Sequence, residues 1–267
     1  MSANVGHAER MAELRSSRED LLTLCTGLTD DQWLSPSCAE GWRVRDVIAH
    51  IGAVCKGMFT PMIVQQMFSK DIERLNDTTV DARRYWPIDQ VLSEFDVWTK
   101  RTIGFVSVAS RRPFGAFPLP IGDLGTYPTS VFPSLFTFDF DTHLRYDIAP
   151  AIGLTIDPPT GQRTAVILYW LIPGLEQMNR TTMGWVDRPL ALTLQGAGGG
   201  TWRIAPGKGG KLRVTAGPAT DAAAHITGEA SEFVAWSTTR TPWRQAHIEL
   251  GGDAAYATKF LDTLNLI

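Results

Sequence analysis

An α-helical bundle followed by a small α+β domain is the fold class this sequence predicts, and three features carry the prediction. Apolar residues recur at spacings of three and four through most of the first two-thirds of the chain, the mark of amphipathic helices. After Gly184 that period gives way to alternation, as in Leu190-Ala191-Leu192-Thr193-Leu194-Gln195, which is strand periodicity. The chain has 267 residues, and at about 150 residues per domain that length suits two domains. The change of pattern puts the boundary near 184–189, giving residues 1–185 and 186–267.

The elements follow in order. Over residues 8–28, Met11, Leu14, Leu21, Leu22, Cys25 and Leu28 form one helical stripe. Residues 30–37 read as a connector. A second helix spans about 44–68, with Pro61 kinking it or ending its first part. Residues 69–84 are polar and lack apolar periodicity. A third helix starts near Pro87, where proline suits a first turn, and continues through Val91, Leu92, Phe95, Trp98 and Ile103. Residues 111–134 are the least regular, with five prolines and the aromatic residues Phe114, Phe117, Tyr127 and Phe132 among them. A connection of this kind reads equally as a lid or binding loop and as a packed linker. Helices at about 134–152 and 161–183 follow. Short strands are then expected at 190–195, 202–204, 212–215, 225–227 and 247–250, with helices at 229–237 and 253–264.

Composition excludes several classes. Apolar residues make up 44% and charged residues 20%, which is globular rather than disordered usage. Lys plus Arg number 25 against 28 Asp plus Glu, a net charge of -3 that gives no support to nucleic-acid binding. The first ten residues are polar and mixed in charge, unlike a targeting signal. No apolar stretch approaches the ~20 residues of a membrane span. Cys25, Cys38 and Cys55 are odd in number without C-x-x-C spacing, so neither a disulfide framework nor a cysteine zinc site is implied. The expectation is a soluble cytoplasmic protein, monomer or homodimer, acting on a small molecule without nucleic-acid or membrane partners.

The histidines narrow the chemistry. His143 follows Asp139 by four residues, so a helix sets both on one face. Such a pair can supply two ligands to one metal ion, with a third from a neighbouring helix, and His50 is the candidate third. The same spacing also describes a solvated ion pair, and Asp46 and His50 share it. Asp46 falls in a first helical turn, where orphan N–H groups favour a carboxylate, and it is assigned there. Apolar neighbours such as Val47, Ile48, Phe138 and Phe140 place His50 and His143 near a core, where an imidazole needs either a metal or a hydrogen-bond partner. Cys55, five residues past His50, points away from it and reads as core. The runs 196–200 and 207–211 are glycine-rich but lack the strand-to-helix setting of a phosphate loop, and read as hairpin turns. No G-x-S-x-G motif or Ser-His-Asp order is present.

The stretch W-R-V-R-D-V-I-A-H, ending at His50, resembles the second-helix motif of the DinB-like superfamily in its mycothiol-dependent maleylpyruvate isomerase branch. D-F-D-T-H-L-R-Y-D, from Asp139 to Asp147, looks like that branch's E-x-x-x-H-x-x-D motif, with the last Asp one position late. The segments PLALTLQG, TWRI, AHITGEASEFVAW and HIELGGD follow in an order similar to the family's C-terminal, sterol-carrier-like module. The resemblance spans nearly the whole chain. It implies a DinB-like bundle with His50, Asp139 and His143 as ligands of a divalent metal, usually zinc, left open for a thiol or water. Asp139 stands where the family has Glu, one methylene longer. Arg43 stands where the family favours a Ser or Thr cap. Arg240 matches an arginine that the C-terminal module directs at the active site, which gives it a catalytic and substrate-binding role, and Arg145 is a second candidate for holding a carboxylate.

The chemistry implied is thiol activation. A metal-bound thiol is deprotonated and nucleophilic at neutral pH. In the isomerases the thiolate adds to a conjugated double bond, rotation follows, and elimination returns the thiol; in related transferases the thiol stays on the product. The expected function is therefore a metal-dependent enzyme that uses mycothiol for isomerisation or S-transfer on a small organic electrophile. The alternatives are a metal-dependent lyase, cyclase or hydrolase using the same site without a thiol, and a non-catalytic ligand-binding protein.

Overall fold

The computed structural model describes residues 5–267; residues 1–4, which open the expected first domain and the polar N-terminal segment, lie outside them. Residues 7–157 form one compact unit, and residues 158–267 with Val5 and Gly6 form the other.

The first unit is helical. Its frame is α1 (His7–Gly27), α3 (Val44–Gly57), α6 (Ile88–Ala109) and α7 (Phe132–Thr142), with α3 packed along α6 and α1 along α7 and α6. Leu14, Leu21, Val47, Ile48, Ile51, Phe95, Phe140 and Ile148 are among its fully buried residues. The expected connector at 30–37 contains one short helix, α2 (Asp30–Leu34), closed by a capping box in which Thr29 and Gln32 bond each other's backbone N–H. Pro61 does end a helix: α3 stops at Gly57, α4 (Met62–Phe68) follows, and the two axes differ by 101°. No single helix among the described residues is long and apolar enough to cross a membrane.

Two segments differ from expectation. The polar stretch at 69–84 holds a helix, α5 (Ile72–Asp81), whose N-cap Asp71 accepts a hydrogen bond from the Arg74 N–H at 3.0 Å. Residues 114–131 fold as 3-10 turns around a two-stranded ribbon, β1 (Pro118–Pro120) with β2 (Thr126–Pro128). Tyr127 is buried there and its hydroxyl donates to the Leu124 carbonyl, whereas Phe114 and Phe117 are exposed.

The second unit begins with α8 (Gly161–Met178). Its sheet runs β5-β4-β3-β6-β7, from β3 (Leu190–Gln195), β4 (Gly200–Pro206), β5 (Leu212–Ala216), β6 (Ala224–Glu229) and β7 (Glu249–Gly252). The central β3 pairs parallel to β6; every other pairing is antiparallel. Short α9 (Phe233–Ser237) and α10 (Ala254–Thr263) complete it. Both glycine-rich runs are turns between antiparallel strands. Gly198 has φ +85°, and a Cβ there would lie 2.1 Å from the Gly161 carbonyl oxygen, so glycine is required twice over.

The expected boundary at 185/186 therefore falls inside the second unit, and the division lies at 157/158. The reason is the packing of α8. Glu176 Oε1 accepts from the Val214 N–H of β5 at 2.5 Å, and Gly198 closes against the first turn of the helix. An apolar stripe announces a helix but not the partner that covers it.

Candidate metal centre

His50 sits on α3, Asp139 on the last turn of α7, and His143 directly after it. One ligand atom from each lies within 4.8 Å of the others. The Oδ1 of Asp139 is 3.4 Å from His143 Nε2 and 3.9 Å from His50 Nε2. The imidazole rings meet edge to face, with centroids 5.1 Å apart. Metal–ligand bonds of zinc length at tetrahedral angles separate neighbouring donors by about 3.4 Å, so two imidazoles and a carboxylate at these distances fit one divalent ion. Both histidines are buried, and the Asp139 side chain, 22% exposed, is the member that meets solvent.

The surroundings set the charges. Burial disfavours a protonated His143, but hydrogen bonds and charge from Asp139 and Asp147 outweigh it and push the pKa up to about 9. Burial would raise the carboxyl pKa of Asp139, yet bonding to His143 and His50 holds it well below the usual carboxylate range. The candidate donors are thus an ionised carboxylate and an imidazole that would have to give up its proton to bind a metal.

Behind the donors the two histidines are held differently. Nδ1 of His143 is 2.7 Å from Oδ2 of buried Asp147. His50 packs against the Trp42 ring at 5.0 Å, and its Nδ1 has no hydrogen-bond partner among the described residues. Trp42 is itself fixed by donating from Nε1 to Asp77 at 3.0 Å. Trp42 opens and Asp147 closes the two quoted motifs, but the sequence assigned neither of them, nor Asp77, to the site. For Asp147 the signal was present, since it follows His143 by four residues, as His143 follows Asp139.

The other candidates are placed as follows. Asp46 is at the third position of α3, where its carboxylate accepts from the Arg43 backbone N–H at 3.0 Å and pairs with the Arg43 and Arg84 guanidinium groups. The Arg43 side chain offers no acceptor, so Asp46 supplies the capping. Cys55 is fully buried, and burial pushes its thiol pKa up. Arg145 donates from Nε to Asp141 at 2.7 Å and also to the Asp157 carbonyl, so its guanidinium is engaged within the protein. Arg240 belongs to the second unit, half-buried in the turn after α9, next to Thr239 at φ +60°.

Residues 13–130 match the DinB superfamily. That span includes His50 and ends before Asp139 and His143. Among solved structures, the chain is similar to the mycothiol-dependent maleylpyruvate isomerase, with a TM-score of 0.58 at 14% identity, covering 93% of this chain and 94% of that one. A histidine-to-alanine mutant of that isomerase gives a TM-score of 0.54 at 15% identity, covering 89% of this chain and 91% of that chain. A comparison with curated protein sequences found no match.

Proposed function

We propose that this chain, which carries a DinB-superfamily domain over residues 13–130, is a metal-dependent enzyme. In this reading it activates a low-molecular-weight thiol, mycothiol, for isomerisation or S-transfer on a small organic electrophile. The observation that carries the reading is the convergence of His50, Asp139 and His143 within 4.8 Å. Three protein ligands leave a further position for an exogenous one, the pattern of catalytic rather than structural zinc sites. A bound divalent cation, zinc by its fit to this donor set, supplies a lowered thiol pKa at that position. Asp139 contributes the only negative charge among the three donors, so a divalent site keeps a net positive charge that favours an anionic sulfur over neutral water. His50 and His143 hold the site from inside the core, and the partly exposed Asp139 marks the side from which thiol and substrate enter. Arg145, held by Asp141, could hold a substrate carboxylate only on leaving that pair.

Titration of metal-loaded protein with mycothiol tests this. Thiolate binding releases about one proton per site near neutral pH, read as a buffer-dependent binding enthalpy. Full metal occupancy without proton release would replace thiol chemistry by a thiol-independent lyase, cyclase or hydrolase reaction. A protein that takes up no metal would point to ligand binding without catalysis.

A further inference from the structure

The helix that carries Asp139 changes pitch at His143. Residues His143–Ile148 form a π-helical turn, seen in the Ala149 N–H bonding to the Leu144 carbonyl at 3.0 Å, five residues back. In a continuous α-helix, eight residues from Asp139 to Asp147 would carry the side chain about 80° round the axis. A π turn has roughly 4.4 residues, so its second half rotates back by nearly the amount the first half advanced. Asp139, His143 and Asp147 therefore stand almost in line, and the imidazole is bracketed by two carboxylates. Asp139 faces Nε2 at 3.4 Å and Asp147 faces Nδ1 at 2.7 Å.

We infer that Asp147 is a positioning residue of the metal centre: reached through the π turn, it holds Nδ1 of His143 and so dedicates Nε2 to the metal. An imidazole can offer either nitrogen after a ring flip, and an unheld ring divides its time between poses. A buried carboxylate on Nδ1 removes that freedom, fixes the tautomer and raises the basicity of the opposite nitrogen. Nδ1 of His50 has no such partner among the described residues, and its ring rests against the tilted ring of Trp42. The anchoring of the site thus falls on His143. The neighbouring pair Asp141–Arg145 has the same spacing in the same segment, with Nε to Oδ2 at 2.7 Å, and points its carboxylate at a guanidinium rather than at a ligand. It provides a control for damage to the turn itself.

This inference rests on the metal-centre reading, and the two fail separately. Zinc affinity is measured by chelator competition for wild type, Asp147→Asn and Asp141→Asn. Asparagine keeps the shape of aspartate and removes its charge. Asp147→Asn should weaken zinc binding about 10–100-fold, as loss of an outer carboxylate does elsewhere, while Asp141→Asn stays close to wild type. Wild-type affinity in Asp147→Asn, or an equal loss in Asp141→Asn, would overturn the role of Asp147 and leave the metal centre standing. No zinc binding by the wild type would overturn both. If Asp147→Asn does not fold, cadmium-loaded wild type with labelled histidine nitrogens decides. Cadmium coupling to Nε2 of His143, with a hydrogen-bonded proton retained on Nδ1, supports the assignment, and coupling to Nδ1 overturns it.

Discussion

His143 Nε2 and Asp139 Oδ1 face each other across 3.4 Å, one turn apart on the same helix, and a proton or a metal ion can hold them together. The proton version sets a pH dependence. The folded-state pKa of His143 is raised from 6.5 to about 9, so its contribution to stability is complete below pH 6.5 and is lost as pH rises through 9. Asp139, held below its ordinary 3.8, contributes above pH 3.8 and loses its contribution as the pH falls further. Melting of chelator-treated protein should therefore show Tm falling between pH 6.5 and 9. Zinc affinity should rise over the same interval, because the metal must displace the proton. A flat Tm across that range would contradict the pairing.

His50→Ala removes one of the three proposed ligands, and the purified variant should lose most of its metal, since two ligands rarely hold zinc against buffer. Asp46→Asn should keep its metal while losing about 1–3 kcal/mol of stability, because it leaves Arg43 and Arg84 without a buried acceptor. Metal analysis with denaturant unfolding of both variants separates a ligand from a helix cap. Equal metal loss in the two would contradict the assignment.

Asp139→Glu lengthens the carboxylate by one methylene at the exposed side of the site. The Asp139 oxygen lies farther from His50, at 3.9 Å, than from His143, at 3.4 Å. A longer reach should preserve or tighten zinc binding, measured by chelator competition. Loss of metal in this variant would mean that the site is built around the shorter side chain.

Phe140 follows Asp139 and is fully buried, with ring centroids 6.5 Å from Phe95 and 6.1 Å from Phe136. Phe140→Ala should cost about 3–5 kcal/mol in urea unfolding. A loss below 1 kcal/mol would mean that the packing here collapses around the gap.

Much of this molecule was legible in its sequence. The stripes of α1, α3 and α6 gave the bundle, and the alternation at Leu190–Gln195 gave the central strand. The three proposed ligands emerged because two of them share a helix face and the third lies in a motif of known kind. What escaped has physical reasons. Helix α5 carries an Asp71 cap and Ile72, Leu75 and Val80 at near-helical spacing, but its polar majority hid them. Its role is also indirect, since Asp77 reaches the site only by holding Trp42. The π turn leaves no pattern in a list of residues, so the alignment of Asp147 with Asp139 had to be seen in three dimensions. For α8, the amphipathic stripe did not say whether a bundle or a sheet would cover it.

The most direct test of the central claim is X-ray absorption at the zinc edge of loaded protein before and after mycothiol is added. A shell of nitrogen and oxygen donors at about 2.0–2.2 Å should first report His50, Asp139 and His143, and a single sulfur at about 2.3 Å should then appear. The sulfur should be absent in His50→Ala, which lacks the metal. A spectrum that mycothiol leaves unchanged at full zinc occupancy would contradict the thiol-activating account.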